Sequence, residues 1–131
     1  MIALDTNVLV RYLTQGEPKQ AKRATHPIEN VLAPARPGFI GLVVLTELYW
    51  VLSKLHGVTL AEWLDTVDAL LNGTHFFVQQ RNMLRAAAST CVIQKSGFFD
   101  ALIAELARAS GCAHTASFDK AAIRTAGMTA V

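Results

Sequence analysis

The sequence has few of the residues that mark specialised chemistry. Cysteine occurs twice, and Cys91 and Cys112 are far apart with no CxxC pair. That leaves no basis for a disulfide framework, and two reduced, mostly buried thiols are the expectation. The four histidines, His26, His56, His75 and His114, are scattered, and none has zinc-ligand spacing. Charged residues make up only 17% of the 131 and the net charge is +2, which excludes a polycationic nucleic-acid coat and leaves nucleic-acid binding unsupported by charge alone. No uninterrupted apolar run approaches the ~18 residues that a membrane span needs. The first ten residues carry Asp5 and no basic n-region, which argues against a signal peptide. The expected location is the cytoplasm. There is no repeat, low-complexity tract or linker.

What remains is aliphatic. Hydrophobic residues reach 52% while aromatics stop at 8%, the balance of a compact α/β domain rather than a disordered chain. MIAL reads as a buried first strand, and NVLVRYLTQ as a helix with Val8, Leu9, Tyr12 and Leu13 on one face. Gly16-Glu17-Pro18 breaks it and starts a second helix carrying Lys19, Lys22 and Arg23, which His26-Pro27 should interrupt. The spacing predicts a short strand near Phe39-Ile40 and a helix from about Val43 to His56, stopped by Gly57. LAEWLDTVDALL is amphipathic, with Leu60, Trp63, Leu64, Val67, Leu70 and Leu71 on one face. HFFVQ and CAHTA read as strands, and MTAV as a last edge strand. Helices run through Met83, Leu84, Ala87 and Cys91, through FFDALIAELARAS up to Gly111, and over 118–126. Alternating strands and helices imply a covered, mainly parallel sheet of about four to five short strands in one domain, 1–131. Ligands of such sheets bind beyond the carboxyl ends of the strands.

The ten acids separate by context. Glu62, Asp65 and Asp68 recur opposite an apolar stripe and read as a solvated face; Glu17 and Glu29 lie in polar, breaker-rich sequence. Four others are isolated. Asp5 closes the first strand, Glu47 is the only charge between Arg36 and Lys54, Asp100 follows Gly-Phe-Phe, and Asp119 follows a strand and turn. Buried carboxylates are costly unless paired, hydrogen-bonded or metal-bound. Capping accounts for Asp5 or Asp119 taken singly, and a helix dipole for Asp100. Neither accounts for Glu47. A shared crevice holding a divalent cation accounts for all four, and all-oxygen ligation suits Mg²⁺ or Mn²⁺.

LDTNVLVRYL, LTELYWVL, FFDALIAELA and ASFDK, in this order and spacing, resemble the PIN-domain ribonucleases, most closely the VapC-type toxins of bacterial toxin–antitoxin modules. The resemblance spans essentially the whole chain. It implies a three-layer α/β/α fold and metal-dependent hydrolysis of RNA phosphodiesters. It places the acidic quartet on Asp5, Glu47, Asp100 and Asp119, with Asp5, Glu47 and Asp100 as main ligands. Asp119 is then a second-metal or water-mediated ligand, or a base orienting the attacking water. Thr6 and Asn7 match the polar pair that holds the Asp5 loop by hydrogen bonds, and Ser117 matches the Ser or Thr two residues before the last acid. Pro27 and Gly97 depart from the pattern. Implied partners are RNA, a homodimer mate and a small antitoxin that occludes the site. Lys19, Lys22 and Arg23, and Lys120 and Arg124, read first as solvated basic faces and second as RNA contacts. No Ser-His or Cys-His pair suggests a covalent intermediate.

Three rival readings are weaker. A haloacid-dehalogenase-like phosphatase needs an aspartate two residues after Asp5, where Asn7 stands. A receiver-like domain needs a late lysine after its own strand, whereas Lys120 directly follows Asp119. A catalytically silent PIN-type binding module would not need the whole quartet.

Overall fold

The computed structural model describes residues 1–14 and 27–131, and its internal contacts divide the chain into two units, Met1–Gln79 and Gln80–Val131. The predicted helix carrying Lys19, Lys22 and Arg23, and the break at Gly16-Glu17-Pro18, lie outside the described residues.

In the first unit the chain runs β1 (Ile2–Ala3), α1 (Thr6–Thr14), a π turn (Pro27–Val31), β2 (Gly38–Ile40), α2 (Leu42–Leu55), α3 (Leu60–Asn72) and β3 (Phe76–Val78). The strands form a parallel sheet in the order β1-β2-β3, with Ile2 opposite Gly38 and Gly38 opposite Phe76. Contrary to the buried first strand expected, β1 ends that order and is exposed at both residues; Leu4, just after it, is the side chain delivered to the interior. Glycine at 38 is a matter of space. A Cβ there would stand 2.7 Å from a Leu32 methyl and 2.8 Å from a Leu4 methyl.

α1 buries Thr6, Leu9 and Val10, rotating its inner face away from the predicted Val8–Tyr12 stripe, and packs on α2. Gly41 offers α2 no side-chain cap. Instead Gln79, at the end of β3, accepts the Leu42 N–H at 2.9 Å through Oε1. A side chain from the far strand thus satisfies one of the orphan donors of a helix start. α2 stops at His56 and Gly57, whose φ of 64° suits a residue without a Cβ. α3 opens on a reciprocal Thr59–Glu62 capping box and buries Trp63, Val67, Leu70 and Leu71, while Leu60 stays exposed.

The second unit runs α4 (Arg81–Gln94), α5 (Phe98–Ala109), β4 (Ala116–Ser117), α6 (Lys120–Thr125) and β5 (Thr129–Ala130). α4 and α5 pack closely, with Leu84, Ala87 and Cys91 buried on one and Phe98, Ala101 and Leu102 on the other. β4 and β5 pair in parallel around α6, and Ala104, Ala122, Ala126 and Met128 pack together beneath them. The strand expected over 112–116 starts later. The Cys112 N–H is used to close the end of α5 on the Ala107 carbonyl at 3.0 Å, so that residue completes the helix end. The paired strand begins at Ala116. Cys112 is also exposed, against the expectation of two buried thiols; both cysteines are free.

Five strands, all paired in parallel, are therefore present among the described residues, hydrogen-bonded as a set of three and a set of two. No helix among those residues is long and apolar enough to cross a membrane.

Candidate active site

In the first unit the ladder between β1 and β2 ends where the Leu4 N–H meets the Phe39 carbonyl at 2.9 Å. The next residue is Asp5, whose own carbonyl accepts from Val8 and Leu9 at 3.1 and 3.3 Å and so begins α1. The strand-to-helix switch fixes the Asp5 backbone and leaves its side chain exposed. α2 starts two residues after the carboxyl end of β2, which neighbours β1, and Glu47 lies in its second turn, also exposed. Asp5 and Glu47 thus belong to the same edge of the sheet, the carboxyl edge where parallel sheets carry ligands.

In the second unit Asp100 is half-buried in the first turn of α5, where unpaired backbone N–H groups favour an anion. The preceding Gly97 has φ −66° and ψ 146°, a conformation open to any residue. Its lack of a Cβ matters for space, since a Cβ would lie 3.0 Å from Asp100 Oδ2. Sequence reading gave Gly97 no role; the structure makes it the wall of the space that the Asp100 carboxylate fills. Asp119 caps α6, its Oδ1 accepting the Ala122 N–H at 3.0 Å. Its own N–H donates to Ser117 Oγ at 2.9 Å, which fixes the turn that presents the carboxylate. Lys120 and Arg124 are exposed in the first and last turns of α6.

Two expectations change. None of the isolated acids is fully buried: Asp5, Glu47 and Asp119 are exposed and Asp100 is half-buried, so the cost of a buried charge does not arise for the first three. Among the described residues Thr6 makes no hydrogen-bonded latch. It is buried, and its Oγ1 has no hydrogen-bond partner among the described residues, while Asn7 is exposed on the first turn of α1. Ser96 is a second buried hydroxyl without such a partner, next to Gly97, and no sequence signal singled it out.

The four acids divide two and two between the units, and among the described residues no three His, Cys, Asp or Glu side chains gather closely enough to hold a metal. By donor chemistry they nonetheless suit a hard divalent cation. All are carboxylates, and none is engaged in an ion pair among the described residues, where Arg108 pairs with Glu105. The missing Cβ at Gly97 is what makes room for one of them, the Asp100 carboxylate.

No curated protein and no solved structure shows significant similarity to the chain. The PIN domain family model matches residues 2–128, across both units and all four acids. On that match the chain belongs to the PIN domain family, an α/β fold whose members are generally nucleases.

Proposed function

We propose that residues 1–131 act as one PIN-like nuclease domain, a metal-dependent endoribonuclease that hydrolyses RNA phosphodiester bonds. The observation that carries this reading is that, in a PIN-family chain, Asp5 and Glu47 stand exposed, and without an ion pair among the described residues, at the carboxyl edge of the parallel sheet. Asp5, Glu47 and Asp100 are assigned as the residues that would hold Mg²⁺ or Mn²⁺, with Asp119 as a further ligand or as the base that orients the attacking water. Such an ion supplies a bound water of lowered pKa and offsets charge on the scissile phosphate. Ser117 keeps the Asp119 turn in place, and Thr6 and Asn7 shape the first turn of α1 behind Asp5. Lys120 and Arg124, exposed on α6, would meet phosphate from that side, with Lys19, Lys22 and Arg23 as further candidates by sequence.

The finer part of the reading is a VapC-like toxin acting in the cytoplasm, with a small antitoxin and a second copy of the chain as partners. It rests on the motif resemblance, and the exposed apolar side chains Val92, Ile93 and Ile103 on α4 and α5 support it as surface that protein partners would cover.

The experiment is RNA cleavage with Mg²⁺ or Mn²⁺, with and without EDTA, by the native chain and by Asp5→Ala purified identically. Cleavage is expected from the native chain and is lost with EDTA and in the variant. Equal cleavage by the two proteins would show a contaminant and overturn the site. Phosphate release from small monoesters with RNA left intact would favour the phosphatase, and no turnover at all the silent binding module.

A further inference from the structure

Among the described residues three aromatic side chains are mostly in water: Trp50, Phe77 and Phe118. Phe77, its ring stacked on Phe39 with centroids 6.1 Å apart, lies on β3 with no candidate acid next to it in the chain. The other two stand beside candidate acids. Trp50 follows Glu47 by three residues on α2, one turn along the same face, and is 52% exposed. Lys54 Nζ lies 5.5 Å from its ring centroid, and the Tyr49 ring meets it edge-on at 5.4 Å. Phe118 is 87% exposed in the turn between β4 and α6, directly before Asp119 and two residues before Lys120. Each unit therefore carries, on independent elements, an acid, a water-exposed aromatic and a lysine side by side.

Burial does not account for these rings. Phe118 has no polar atom that would draw it to solvent, and its exposure forgoes the stabilisation that a buried ring supplies. Trp50 is held by its cation and its aromatic neighbour, so little freedom is lost when a flat partner lands on it. Along the outward stripe of α2 the exposed residues Val43, Glu47, Trp50 and Lys54 alternate apolar and charged, with exposed Leu55 only at the helix end, a pattern ill-suited to a continuous apolar protein contact. A polymer offering flat bases and a charged backbone at alternating positions fits it better. Every nucleobase has a π face, and aromatic platforms flanked by cations are the general means of holding an unpaired strand. In a duplex those faces are hidden.

We propose that Trp50 and Phe118 are base-stacking platforms for single-stranded RNA, with Lys54 and Lys120 meeting the neighbouring phosphates. The inference rests on the ribonuclease reading and adds to it which side chains of each unit would hold an unpaired strand.

The chain has two tryptophans, and Trp63 is 1% exposed, so an added strand can reach only Trp50. The test titrates the Asp5→Ala chain, which leaves the strand uncut, with an oligoadenylate of ~12 nucleotides, a length within single-strand site sizes. Quenching of the exposed tryptophan emission is expected, and duplex RNA of equal length should not produce it. Trp50→Leu and Phe118→Leu should each weaken binding, read by anisotropy of a labelled strand, by about tenfold or more. Trp50→Phe and Phe118→Tyr should retain most of the affinity, because leucine keeps the apolar contact and only an aromatic keeps the stack. Unchanged melting temperatures confirm that the variants fold. Undiminished affinity in both leucine variants, or no quenching at saturation, overturns the proposal. So does a Trp50→Leu chain that changes oligomeric state and binds RNA normally, since the α2 face would then be a contact between copies. Native cleavage with KM unaffected by either leucine substitution removes the platforms and leaves the nuclease standing. Quenching and aromatic-dependent binding by a native chain that never cuts RNA does the reverse.

Discussion

Asp119 has two tasks, and substitution can pull them apart. Its Oδ1 accepts the Ala122 N–H at 3.0 Å and caps the six-residue helix α6, while the proposed chemistry needs its charge. Asp119→Ala removes both. Loss of an N-cap costs about 0.5–2 kcal/mol, typically near 1. For a chain of 131 residues that lowers the melting temperature by about 3–6 °C. Asp119→Asn keeps an oxygen in the Oδ1 position, and asparagine is as good an N-cap as aspartate. It gives up only the favourable placement of a negative charge at a helix start, about 0.3 kcal/mol for an exposed group, the low end of such effects. The asparagine chain should melt within about 1–2 °C of the native one. If the carboxylate only caps, Asp119→Asn cleaves RNA like the native chain and Asp119→Ala loses little below its melting range. If it also holds the ion or orients the water, both lose about 10²-fold or more in kcat. The assay is RNA cleavage under saturating Mg²⁺, paired with a thermal melt of each protein. An asparagine variant with native turnover would remove Asp119 from the site and leave it a cap.

Two further outcomes are accessible. Gly97→Ala places a Cβ 3.0 Å from Asp100 Oδ2, short of the 3.4 Å at which ordinary contact begins, and the carboxylate must yield. Since misplacement by 1 Å can cost 10²-fold, a shift of a few tenths should cost about three- to tenfold in turnover and raise the Mg²⁺ concentration needed, with the melting temperature nearly unchanged; native Mg²⁺ dependence would refute the spatial argument. At the start of α3, the Thr59 backbone N–H and hydroxyl both donate to Glu62 and hold its carboxyl below the usual 4.5. A carboxyl depressed in the folded state stabilises above its unfolded pKa and loses that contribution as pH falls through the folded one. The melting-temperature advantage of the native chain over Glu62→Gln should therefore be constant above pH 4.5 and shrink only below it, and a constant difference into stronger acid would rule the capping box out as its source.

Much of this arrangement was legible in the sequence, for local reasons. Helices α2 to α5 follow from apolar periodicity and from breakers such as Gly57 and Gly111, whose positive φ values confirm their role as stops. The four acids stood out because each is alone in its local context, and their placement at strand ends and helix starts followed from the alternating pattern. Local context misleads about them in one respect. Sequence context suggested burial, but a helix residue among apolar neighbours is buried only if its angle about the axis points inward. Glu47 shares the outward stripe of α2 with Val43, Trp50 and Lys54 while Leu45, Leu48 and Leu52 face the core.

The sequence by itself determined the fold class, the order of elements, the family and the candidate acids, because all of these rest on residue type and spacing along the chain. Tertiary structure decided what spacing cannot carry. It set the start of β4, because the Cys112 N–H is used at the end of α5. It made Gln79 the cap of α2 from thirty-seven residues away. It gave Gly97 a purpose through contact with Asp100 rather than through flexibility. It left Trp50 and Phe118 in water, since exposure depends on which neighbours fold over a ring, and that is a property of the assembled chain.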